Sequence, residues 1–216
     1  MSIAFDAVSS VNSASATSHT LSHTTSGSNR ALVVGAAGFG GSSNWITSIT
    51  YNGVTMTDGA VKADEPAAGL STQLFYLENP SSGTNNVVVN LSTSKPFGIT
   101  AASYTGVKQT SAKDGGGTNG STTTTNTVNV TTGNANSWVV GFWWINQTPT
   151  SVVSPAVLRN SFPSSGDIIL ADRTTTTANT YSISASGNTS GRTAGSAIGL
   201  KEETVVASNS NFLMFM

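Results

Sequence analysis

The chain has 216 residues, a formal net charge of −1 and no cysteine. Charged residues are 9% of it, against roughly 25% in an ordinary soluble domain, so nothing here can neutralise a row of phosphates, which argues against nucleic acid as a partner. The absent cysteines remove disulfides, thiolate nucleophiles and zinc ribbons together, while regular apolar runs separate the chain from disordered sequences.

In chain order, residues 1–16 read as a small polar N-terminal arm with Phe5 as its one large anchor. Thr17–Thr24 is a run of small polar β-formers, expected as an edge or surface strand. Ala31–Phe39 is the first core strand. Trp45–Tyr51 alternates with period two. Asn52-Gly53 then marks a tight hairpin into Val54–Thr57. Lys62–Leu70 is expected as a loop, with at most one helical turn near Pro66–Leu70. Thr72–Glu78, Asn86–Leu91 and Phe97–Tyr104 complete a first set of strands.

Lys108–Thr125, rich in Gly and Thr, reads as a connection. Beyond it come Thr127–Val130, Trp138–Ile145, Ile168–Ala171, Tyr181–Ser184 and Ala194–Leu200. Trp138–Ile145 carries three of the four tryptophans and no charge, so it is expected to be a strand buried on both faces. Trp138, Val140, Phe142 and Trp144 should face one way, and Val139, Gly141, Trp143 and Ile145 the other.

Val33-Val34-Gly35 aligns with Val139-Val140-Gly141, and Ala102–Lys108 with Gly195–Lys201, a weak internal repeat. The expected fold is all-β: a two-sheet antiparallel β-sandwich of jelly-roll type over residues 17–202, built from two similar halves. These span about 17–110 and 124–202 and are joined by the Gly/Thr-rich stretch. Neither half shows enough strands to close a two-sheet core alone. Residues 203–216 form an apolar C-terminal tail.

Candidate chemistry is thin. His19 and His23 stand four apart, which on a strand separates their Cα atoms by roughly 13 Å, too far to share a metal. No Gly-x-Ser-x-Gly elbow is present. Gly115–Gly120 matches the dinucleotide fingerprint only in letters, with no helix behind it. Glu78, Asp167 and Asp172 are the acids a glycosidase reading would need, and nothing pairs them. Asp64 and Glu65 match no calcium loop. The expectation is therefore no catalytic residue, no cofactor and no metal. Trp45, after the Gly40–Ser43 loop, is the candidate exposed aromatic for a glycan. Phe212, Leu213, Met214, Phe215 and Met216 are the candidate partner-binding residues, since five consecutive large apolar side chains need a surface to cover them.

The ordered set Leu21-Ser22-His23-Thr24, Gly27-Ser28-Asn29-Arg30, Leu32-Val33-Val34-Gly35, Ile49-Thr50-Tyr51-Asn52-Gly53 and Leu74–Pro80 resembles a known module, as do Ser103–Gln109 and Ala197–Lys201. It is similar to the jelly-roll β-sandwich of phage virion proteins and of bacterial surface-protein repeats. The resemblance spans roughly residues 17–202 and implies a non-enzymatic virion structural protein, first a capsid decoration or cement protein. Its partners would be the major capsid or another virion protein and further copies of itself, with a trimer favoured. No basic leader or membrane-spanning run occurs, which suits a protein made in host cytoplasm and carried on the capsid surface. The alternative is a carbohydrate-binding or adhesion module of a tail or head fibre or of a bacterial surface protein.

Overall fold

A computed structural model describes residues 1–39, 45–65, 70–145, 151–163, 167–188 and 190–204. The described elements are β-strands, all paired antiparallel. The first seven are β1 (Ala4–Thr25), β2 (Ala31–Phe39), β3 (Ile46–Tyr51), β4 (Val54–Thr55), β5 (Thr57–Glu65), β6 (Leu70–Glu78) and β7 (Gly83–Thr105). β1 and β7 form one long ribbon, from Ala4 opposite Thr105 to Thr25 opposite Gly83, with register shifts between Ser13 and Ser18. Residues 97–104 of β7 also pair with β2, followed by β6 and β5; residues 87–91 pair with β3, followed by β4. The ribbon thus belongs to two sheets, which close over Leu32, Val34, Trp45, Ile49, Tyr51, Val87, Val89 and Ile99. That strand order is a jelly roll.

The remaining eight are β8 (Lys113–Ser121), β9 (Thr125–Thr131), β10 (Trp138–Ile145), β11 (Ser151–Val152), β12 (Val157–Pro163), β13 (Asp167–Thr174), β14 (Thr180–Ser186) and β15 (Thr193–Leu200). They form two sheets, ordered β12-β13-β10-β15-β8 and β11-β14-β9, closing over Val128, Val130, Val139, Trp143, Ile169 and Ile183. The strands of the second half each repeat a strand, or one arm of β1 or β7, in the first; β4 has no counterpart among the described residues. Ala31 lies opposite Glu78 and Tyr104, as Trp138 lies opposite Thr174 and Leu200. Leu21 faces Val87 as Val128 faces Ile183. Even the bulge recurs, between Asp58 and Ala60 in β5 and between Leu158 and Asn160 in β12.

The antiparallel jelly-roll sandwich is therefore present twice, and each half closes a core of its own, where one sandwich with a single core was expected; β8 and the first part of β1 supply the strands that each half was expected to lack. Three expectations change with this. Residues 4–16 belong to β1, not to a separate arm. The Gly/Thr-rich segment contains an ordered edge strand, β8. β5 continues through Asp64 and Glu65, where a loop was expected. The expected repeat alignment also slips, by one residue at Val33-Val34-Gly35 and by three at Ala102–Lys108, because Tyr104 is the equivalent of Leu200. Val33 and Val140 both face the other half, whereas Val34 and Val139 face their own outer sheets. Because side chains alternate along a strand, a one-residue slip exchanges the faces.

The halves meet back to back through β1-β7-β2-β6-β5 and β12-β13-β10-β15-β8. Their shared core takes Val33, Leu74, Ala102 and Tyr104 from one half and Val140, Phe142, Trp144, Ile168 and Leu170 from the other. β10 therefore has Phe142 and Trp144 in this middle core and Trp143 and Ile145 in its own, buried on both faces as its composition implies.

Equivalent carboxylates tie down equivalent turns. Asp6 accepts hydrogen bonds from the Ser26 amide at 2.8 Å, the Ser103 hydroxyl at 2.7 Å and the Ser26 hydroxyl. Asp114 accepts from the Gly133 and Asn134 amides at 3.0 and 3.1 Å, the Asn134 side-chain amide at 2.9 Å and the Ser137 hydroxyl at 2.6 Å. Burial works to raise both carboxyls, but these bonds outweigh it and hold both below the ordinary carboxylate value. A carboxyl depressed in the fold stabilises it above the unfolded pKa, and that stability is lost as pH falls through the folded value. Thermal unfolding should thus occur at falling temperature below about pH 4. The Asp6→Asn, Asp114→Asn variant should be less stable at pH 7 and lack most of that acid slope; an unchanged slope would contradict the assignment.

Candidate functional site

Among the described residues the candidate acids and histidines do not come together. Glu78 ends β6 and accepts the Ala112 amide at 2.5 Å. Asp167 and Asp172 stand five apart on β13, opposite Ile145 and Val140, and so point to opposite faces of the sheet. Asp172 is fixed by the Arg159 Nε at 2.7 Å and the Tyr104 hydroxyl at 3.0 Å. His19 packs its ring edge-on against Phe97, and His23 is buried with Nδ1 3.1 Å from the Ser9 hydroxyl. Burial lowers His23 to about 4, against a weaker opposing pull from Asp6. Among the described residues no three His, Cys, Asp or Glu side chains gather as a metal site. Asp64 and Glu65 lie in β5, their side chains outside the described part.

Trp45 is not an exposed aromatic. It is 1% exposed, its indole N–H donates to the Ser71 hydroxyl, and its ring meets Phe97 at 5.5 Å. The glycan contact expected there is withdrawn, because the strand that follows draws the ring into the first-half core. Phe212, Leu213, Met214, Phe215 and Met216 lie outside the described residues. Trp143 and Trp144 are also buried, which leaves Trp138 as the one partly exposed tryptophan.

Trp138 borders a cluster that seals one side of the seam between the halves. The Arg159 guanidinium lies 4.3 Å from the Phe5 ring centre and 5.9 Å from that of Trp138. Tyr104 meets Phe5 and Trp138 edge-on at 5.9 and 5.8 Å. On the opposite side the strands approach closely at a glycine: a Cβ on Gly59 would come 3.2 Å from the Ile198 side chain. Gly59 and Arg159 occupy the equivalent bulges. One bulge thus carries a cation that reaches across the seam, and the other lets β5 settle close to β15.

Sequence reasoning passed over the 151–163 stretch, where three of the five exposed large apolar side chains among the described residues lie. Val153, Val157 and Leu158 are 46%, 48% and 43% exposed. β12 is an edge strand of its sheet. Its equivalent in the first half, β5, carries Thr57 and Asp58 where β12 carries Val157 and Leu158. The signal available in sequence was the adjacent pair Val157-Leu158. Its meaning required knowing that the strand lies at an edge.

The outward faces of the two outer sheets are uncharged and hydroxyl-rich. On β9 and β14, Thr125 pairs with Ser186, Thr127 with Ser184 and Thr131 with Thr180, each at 2.8 Å between hydroxyl oxygens. No family model matches the chain, and neither the curated proteins nor the solved structures give a match.

Proposed function

We propose that this protein is a non-enzymatic virion structural protein, a capsid decoration or cement module that works as a closed homo-oligomer. The apolar edge of β12 supports the assembly part of this reading. A free sheet edge invites pairing, and proteins that remain monomeric blunt such edges with charge or polarity. The first half follows that rule with Thr57 and Asp58; the second breaks it at the equivalent Val157 and Leu158. The contrast within one chain favours a neighbour over β12. The low charge, the carboxylates committed to turns and the hydroxyl faces suit a rigid, chemically quiet surface component. A trimer matches the symmetry common on such surfaces, and the Phe212–Met216 stretch supplies a second apolar anchor for the shell.

The Val157→Lys, Leu158→Lys variant tests this. It should fold with a near-UV circular dichroism spectrum like the parent and associate at least tenfold more weakly. An oligomer of unchanged affinity would remove β12 from the interface. Deleting residues 212–216 should leave the fold intact and weaken assembly; loss of the fold would assign this stretch to the protein's own core and remove it from the interface.

A further inference from the structure

A cleft of about 360 Å³ opens beside Trp138, lined by Ser2, Ile3, Asn136, Thr174, Thr176 and Glu202 among others. From its lining we infer that it binds a neutral pyranose sugar, stacked on the Trp138 indole. The inference does not rest on the assembly reading.

Three features carry it. The indole is the only one of the four that reaches solvent, and the Tyr104 ring and the Arg159 guanidinium brace it, so it presents a fixed apolar surface. A pyranose offers a matching face of C–H groups, and stacking on a rigid aromatic loses little conformational entropy. Around the ring stand short polar groups that donate and accept in fixed directions. Asn136 sits in the turn before β10 with φ +56°, Thr174 ends β13 and Thr176 follows it; all three side chains are exposed. Thr175 between them is buried, and its hydroxyl donates to the Ser137 carbonyl at 2.8 Å, which ties the threonine turn to the asparagine turn.

Glu202 closes the set and fixes the class of sugar. A carboxylate takes hydrogen bonds from two adjacent hydroxyls but repels uronic and sialic acids, so neutral sugars are selected. The volume suits one or two sugar rings and lies in the range of ordinary small-molecule pockets, roughly 300–1,000 Å³. Residues 205–216 can span roughly 40 Å when extended, so anchoring through the apolar C-terminal stretch is compatible with an open cleft.

The test uses the full chain with lactose, maltose, cellobiose and chitobiose as probes, and glucuronic acid as the anionic control. Because the other three indoles are buried, acrylamide quenching of tryptophan fluorescence reports on Trp138. At least one neutral disaccharide should protect it, and saturation-transfer NMR should show signal on that sugar but none on glucuronic acid. Trp138→Ala should weaken binding at least tenfold. Should that variant unfold, Thr174→Arg, an exposed change that fills the cleft, should abolish the same signal. Absence of binding by all four neutral sugars, or binding that survives Thr174→Arg, would overturn the proposal.

Discussion

Phe142→Ala should lower the unfolding free energy by about 3–5 kcal/mol, the loss expected for an aromatic ring removed from a core that cannot collapse. Phe142 is fully buried between the two jelly rolls, with its ring over Gly35 on the facing strand β2. A Cβ added to Gly35 would come 2.4 Å from that ring. Gly35→Ala alone should therefore overpack the seam and cost about 1–3 kcal/mol. Combined, the new methyl enters space the ring has left, so the double variant should be more stable than the sum of the single losses predicts. The favourable coupling should be on the order of 1 kcal/mol. Urea unfolding of the parent and the three variants measures all of these. Strict additivity would mean that Phe142 and Gly35 do not share the contact on which the back-to-back arrangement depends.

Arg159→Ala should cost about 3 kcal/mol, near the lower end for breaking a buried ion pair because Arg159 keeps 21% exposure. Its partner Asp172 is 1% exposed and keeps only the Tyr104 hydroxyl once the guanidinium is gone. Burial already raises the Asp172 carboxyl above its ordinary value, against the opposing hydrogen bond and charge of Arg159; the variant should raise it further. For an acid whose folded pKa exceeds the unfolded one, the fold binds more protons and stability falls as pH rises through that window. The Arg159→Ala loss should thus be largest at neutral pH and shrink toward about pH 4. Asp172→Asn in the same chain should recover at least half of it at pH 7. Urea unfolding at both pH values decides the matter, and a loss equal at the two would show that removing the guanidinium leaves the Asp172 carboxyl where it was.

The middle of the fold was legible because its strands state their burial in composition. Trp138–Ile145 has no polar face to offer water, and both of its faces are covered. Asn52-Gly53 marks the hairpin, and the backbone adopts the positive φ values that such a turn needs, +49° and +77°. The repeat was visible in outline, but its register was not. Alternation fixes which residues share a face, and two strands of similar composition can be matched one residue out of step with little change in resemblance.

β8 was missed because glycine has low strand propensity on its own. Its use here is tertiary: a Cβ on Gly117 would come 2.2 Å from the Asn129 carbonyl of β9. Trp45 was misplaced for a related reason. The flanking Gly/Ser loop suggested exposure, whereas Phe97 and Ser71, which hold the ring inside, come from strands far away in sequence. The Trp138 cleft could not be read from the chain either. The same alternation that buries Phe142 and Trp144 places Trp138 at the end of its strand, where the core gives way to solvent. Only the fold brings residues 2, 136, 174 and 202 around it.

The assembly reading rests on one quantity, the mass of the full chain in solution, measured by light scattering over a hundredfold range of concentration. The account predicts a closed oligomer whose mass is constant over the upper part of that range and falls toward the 22.0 kDa monomer when Val157 and Leu158 are replaced by lysine. A monodisperse monomer at every concentration would contradict it, because the apolar edge of β12 would then be stable in water without a second copy.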